Sequence, residues 1–235
     1  MNFAHITAAS PPVASTSVSA KLCNLLASPA EVFDEVVIAP PAAANWRTPT
    51  LLVCLAGIAV LPLSATKAQS AAAIQHLIQA GSISTDQAEF LAGAWPLASG
   101  LAVCLAAFGG TLWAAFLLWF MGRVFLKARF RFLKALEVVG LTGIILLLGT
   151  VVTGLLIVAT GDATAHPSLA LLADKLGSSH VLHRILDLFN VFHLWATAVL
   201  ALGLSRLTGA TFKEAAFWVF GYWLLIRIAL VILSC

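Results

Sequence analysis

Two stretches of this chain, 97–125 and 135–160, exceed the roughly 20 apolar residues that cross a bilayer. Each carries a single formal charge, Arg123 in the first and Glu137 in the second. A helix apolar on every side has no stable place at a water boundary and is at home in lipid, where its backbone polar groups are satisfied within the segment. Shorter apolar runs repeat the pattern. Residues 50–66, 97–122, 135–160, 188–207 and 215–234 are the expected spans. The fold class that follows is all-α: a polytopic integral membrane protein, a five-helix transmembrane bundle with short amphipathic interfacial helices. Composition agrees, with 61% hydrophobic and 10% charged residues against about 25% charged in a soluble domain.

The remaining sequence divides around these runs. Residues 1–20, rich in Ala, Ser, Pro and Thr, offer no periodic apolar face and read as a disordered tail. They also lack the basic start and apolar core of a secretory signal, so the first span is expected to act as an uncleaved insertion signal. Residues 21–46 form a cytosolic amphipathic lead-in. Within it Ser28, Pro29 and Glu31 predict a helix start with a capping box. Val32, Phe33, Val36 and Val37 then fall on one side, a face suited to an anionic inner leaflet, until Pro40 and Pro41 end the helix. Residues 47–235 make the membrane domain. Trp46 and Arg47 mark an interface, Pro49 opens the first span and Pro62 bends its end. Lys67 to Pro96 is more polar, with a break at Gly81 and a new helix start at Ser84 or Thr85, and reads as a helical hairpin on the membrane surface. Gly109 and Gly110, and then Gly140, Gly143, Gly149 and Gly154, are places where a neighbouring helix can approach closely.

Charge placement sets the topology. Arg123, Lys127, Arg129, Arg131 and Lys134 follow one another without an intervening acid. Together with Lys21, Arg47, Arg206 and Lys213 they put nine cations on one side, leaving Lys67, Lys175 and Arg184 on the other. Short loops rich in Lys and Arg stay in the cytoplasm. The amino terminus is therefore expected inside and Cys235 outside, with the five loop cations as candidate lipid-headgroup contacts. The net charge of +3 is too small and too scattered for nucleic-acid binding.

Chemistry-bearing residues are few. His180, His183 and Asp187, at spacings of three and four, would share a helix face, and His166 could add a fourth ligand, the set that zinc accepts. An interfacial helix lying on the bilayer explains the same residues. Arg227 falls within the last span, where a guanidinium must pair or face protein or water. Asp187 is its first expected partner and Glu137 its second, with His193 near the start of the fourth span completing a possible polar track. The four cysteines are scattered, without a CxxC pair, and read as apolar fillers. No nucleophile elbow and no phosphate-binding loop is present, and no cofactor is expected.

The segments Ser28-Pro29-Ala30-Glu31-Val32-Phe33-Asp34-Glu35-Val36-Val37, Asn45-Trp46 and Pro49-Thr50-Leu51-Leu52 resemble the bacterial branch of the Yip1 membrane protein family. So do Gly81 to Glu89, Leu186 to Trp195 and Gly209 to Ala215, which brings the resemblance to residues 22–232. The family likewise has five spans. Its eukaryotic members act in vesicle traffic and associate with lipid-modified Rab GTPases. This chain lacks their Asp-Leu-Tyr-Gly-Pro motif, so Rab binding is not implied, and the bacterial relatives have no settled activity. The expectation is a non-enzymatic protein that organises membrane lipids or unknown protein partners, with a homo-oligomer possible. A small transporter or channel built on Arg227, Asp187, Glu137 and His193 is the alternative, and a metal-binding protein using His180 and His183 the second.

Overall fold

The computed structural model describes residues 16–64, 66–169 and 189–233, with side chains described over 16–64, 70–169 and 189–229. Helices make up the architecture: α1 (Val18–Ala27), α2 (Pro29–Ile38), α3 (Ala44–Val60), α4 (Thr66–Gln79), α5 (Thr85–Val124), α6 (Phe132–Thr160), α7 (Val191–Thr208) and α8 (Phe212–Leu233). The helices Ala44–Leu63 (including a short 3-10 extension), Thr85–Val124, Phe132–Thr160 and Val191–Thr208 are each long and apolar enough to cross a bilayer. Helix α8, with 22 residues, occupies the place of the fifth expected span. The chain is an integral membrane protein.

Helix α6 is the central post. It packs against α3, α5 and α7, and receives α1 and α2 at its first turns. Helices α3 and α6 run in parallel: a Cβ on Gly140 would land on the Cα of Trp46, and one on Gly154 would lie 3.0 Å from Val60. The expected close approaches at Gly140, Gly149 and Gly154 are thus present. Gly109 and Gly110, by contrast, have open space where a Cβ would stand, so among the described residues no helix contacts α5 there.

Local chemistry explains the boundaries, with some corrections. The helical lead-in begins at Val18, ahead of residue 21, because the Ser17 hydroxyl accepts from Ala20 N. Ser28 does not cap α2 through its side chain. Its N–H instead donates to Asn24 O at 2.7 Å, closing α1, which leaves Ser28 outside the extended geometry of an N-cap. Pro49 sits inside α3, which starts at Ala44. Pro62 lies in the 3-10 turn that ends that span.

The largest departure concerns the expected surface hairpin. The capping box at Ser84 and Gln87 is present, and Gly81 turns the chain at φ +67°. From Thr85, however, a single helix of 40 residues continues through Pro96 to Val124, so the polar stretch and the second span are one rod. The Ala-rich stretch either side of Pro96 favours helix, and the rod is about 60 Å long, twice the hydrocarbon thickness. At the other end of the bundle, Asn190 starts α7 by accepting from Phe192 N and His193 N at 2.9 and 3.3 Å. Gly209, at φ +71°, ends it.

Candidate functional site: the docked lead-in and the basic rim

The apolar side of α2 turns inward. Phe33 and Val36 are fully buried, and Phe33 and Val138 both crowd Gly203 of α7. The face expected on the bilayer surface therefore rests on the bundle.

A buried polar lock holds it there. Lys134 Nζ donates to Val36 O and Ala39 O, both at 2.6 Å, and lies 2.8 Å from Glu137 Oε2. Glu137 Oε1 accepts from Ala42 N at 2.7 Å and from Asn45 Nδ2 at 2.8 Å. Glu137 is 1% exposed. The ammonium thus satisfies the last carbonyls of α2, a favourable place for a cation, while the carboxylate orders the link into α3. Lys134, expected among the headgroup contacts, is removed from solvent by this role. The sequence signal was a Lys and a Glu three residues apart opening an apolar helix.

Two further ion pairs flank the lock. Arg206 Nε lies 3.4 Å from Asp34 Oδ1, exposed and so of small energetic weight. Lys21 Nζ lies 3.3 Å from Glu35 Oε1, which also accepts from Thr16 N at 2.9 Å. Burial pushes the Glu35 carboxyl up, but the Thr16 hydrogen bonds and Lys21 outweigh it and hold the group below its ordinary value of 4.5. A carboxylate depressed on folding contributes stability above its unfolded pKa and loses it as pH falls through the folded one. Limited proteolysis of the lead-in is therefore expected to accelerate below pH 4.5 in the wild type and to depend less on pH in Glu35→Gln. Identical profiles for the two proteins would refute the assignment.

Around the lock runs a basic rim. Arg123, Lys127, Arg129 and Arg131 are exposed, with Arg123 over the Trp119 ring at 5.3 Å. Exposed Val124, Phe125 and Leu133 stand among them. Lys127 adopts φ +53°, which turns the chain sharply enough for Ala128 N to reach Gly122 O at 2.9 Å.

The expected polar track divides in two. Arg227 Nη2 lies 3.1 Å from His193 Nδ1, and its guanidinium sits 5.4 Å from the Trp223 ring. Arginine only donates, so in this contact His193 Nδ1 is the acceptor. Glu137 belongs to the inner lock. Gly149, which faces Phe192, is twelve residues along α6 from it, about 18 Å away. Asp187, His180 and His183 lie outside the described residues. His166 holds Thr164 O at 2.9 Å through Nδ1, and among the described residues no group of three potential metal ligands is gathered. Cys54 on α3 meets Cys104 on α5, both as free thiols.

Neither a curated protein nor a solved structure matches the chain. A family model described as Yip1 domain does, over residues 24–234, a range that takes in α2, the basic rim and the helices that carry them. The chain belongs to the Yip1 domain family of membrane proteins.

Proposed function

We propose that this protein is a non-enzymatic organiser of membrane lipids and protein partners, seated in a bacterial inner membrane with its amino terminus in the cytoplasm. The observation that carries the reading is the rim: Arg123, Lys127, Arg129 and Arg131 stand exposed beside Val124, Phe125 and Leu133 at one end of the bundle. A cation near an anionic leaflet is worth about 1 kcal/mol, and interleaved apolar groups favour the interface over bulk water. Family membership supports a multi-pass membrane role. The inside placement of this end is supported by the gathering of the lead-in, the basic loop and the turn after α7 at a common level, where Lys134 meets Val36 and Arg206 meets Asp34.

The test is lipid enrichment. Full-length protein in bilayers of mixed phosphatidylglycerol and phosphatidylcholine is expected to retain phosphatidylglycerol preferentially by native mass spectrometry. Changing the four exposed cations to Gln should lower that preference at least ~3-fold without altering the melting temperature. A folded quadruple variant with undiminished preference would sink the proposal.

A further inference from the structure

At the end of the bundle opposite the basic rim lies a cavity of about 420 Å³ between α3 with its 3-10 turn, α4 and the upper part of α5. Ile58, Leu61, Pro62, Ile74, Trp95 and Pro96 form most of its wall. The polar lining residues are Ser70 and Ser99, and the Ser99 hydroxyl donates to Pro96 O of its own helix at 3.1 Å. Among the described residues, none that lines it carries a charge. An ionised ligand entering would surrender its hydration without return, which leaves hydrocarbon as the matching chemistry. Volume sets the scale: a cavity of about 150 Å³ holds the six carbons of benzene. The space here, about 420 Å³ and open along one side, has room for a longer stretch of hydrocarbon than that.

Depth indicates where that hydrocarbon comes from. Thr50 on α3 meets Thr111 on α5 at 3.4 Å, one turn above the interfacial pair Trp46 and Arg47. Counting up α5 from Thr111, Ser99 lies about 18 Å higher and Trp95 about 24 Å higher. The cavity therefore straddles the far boundary of a ~30 Å hydrocarbon layer, with an indole at the level where indoles favour the interface. Just outside it, Leu55, Leu97 and Leu101 are 63%, 80% and 59% exposed, so the apolar lining continues onto the surface that faces lipid.

We propose that this cavity seats the acyl chain of a bilayer phospholipid, held between α3, α4 and α5. The site lies at the opposite end from the basic rim and rests on none of its residues, so the two proposals fail independently.

Photolabelling decides the matter. Full-length protein is reconstituted in phosphatidylcholine vesicles containing a phosphatidylcholine with a diazirine midway along one chain, irradiated, and its adducts mapped by mass spectrometry. Adducts are expected to concentrate on peptides covering residues 58–63 and 92–99 relative to the lipid-facing side of α8. Ala92→Trp and, from the opposite wall, Ala71→Trp should each fill the space and lower those adducts about fivefold, with α8 labelling unchanged as the control for folding. Even labelling over all lipid-facing helices, or undiminished labelling in both filled variants, overturns the proposal. Adducts from a diazirine-bearing fatty alcohol with none from the phospholipid would assign the cavity to an apolar solute and overturn it equally.

Discussion

Gly140→Val is expected to unseat α3 from α6 and to be the most damaging single substitution in the protein. A Cβ at position 140 would clash with the Cα and Cβ of Trp46 and come within 3.1 Å of Asn45 O. These obstacles are largely backbone, so no side-chain rotation relieves them, and one helix must move. Overpacking of a core costs about 1–3 kcal/mol and more where the backbone shifts. Because Asn45 also donates to Glu137, moving α3 strains the lock as well, and the upper end of that range or beyond is expected. Thermal unfolding in detergent, followed by tryptophan fluorescence, measures it. Gly143→Ala is the control, since its nearest neighbours, Pro49 and Val53, stand at 3.9 Å. Equal melting of Gly140→Val and wild type would show that α3 is not seated as described.

Lys134→Met should have an effect of similar size by a different route. It keeps an unbranched side chain of similar length but leaves the buried Glu137 carboxylate without its cation, and frees the carbonyls of Val36 and Ala39. Removing one partner of a buried pair costs about 3–5 kcal/mol. The loss is expected to be local first: α2 should come off the bundle, so protease cuts the lead-in at least tenfold faster while α6 and α7 stay protected. Pairing Lys134→Met with Glu137→Gln removes the stranded charge and should recover part of the stability, because a Gln carbonyl still accepts from Ala42 N and Asn45 Nδ2. A double variant no better than the single would show that charge is not what the lock balances.

Much of the fold is legible in the sequence because lipid imposes a simple rule. Apolar runs of sufficient length become helices, and α6 and α7 lie close to where run length puts them. The two arms and the turn of the hairpin follow that reading, but the end of its second arm does not: polarity marks where a helix leaves hydrocarbon, not where it ends, and nothing between Gln87 and Val124 stops α5 except a proline that a helix can absorb. The face of α2 was legible as amphipathic, but not its partner. An apolar stripe fits a bilayer or a neighbouring helix equally well, and only the cleft at Gly203 distinguishes them. Likewise Lys134 reads as one of five cations on a loop until Val36 and Ala39 are seen to supply carbonyls from almost a hundred residues away. Of the two expected partners of Arg227, Asp187 lies outside the described residues and Glu137 belongs to the inner lock, while the guanidinium meets His193. Which of them it would meet depended on the relative height of α7 and α8, which run length does not give.

The docking of α2 also has a consequence for the order in which the chain matures. Phe33 rests beside Gly203, a residue made 170 positions later. At ordinary rates of synthesis that is a delay of roughly 10–30 s. For most of that interval, once it has left the exit tunnel, the lead-in is outside the ribosome with its apolar side bare, and half of its seat does not exist. The nascent protein is thus exposed to chaperones and proteases at its lead-in until α7 has been inserted, and the closing of α2 onto α7 marks the moment at which that exposure ends.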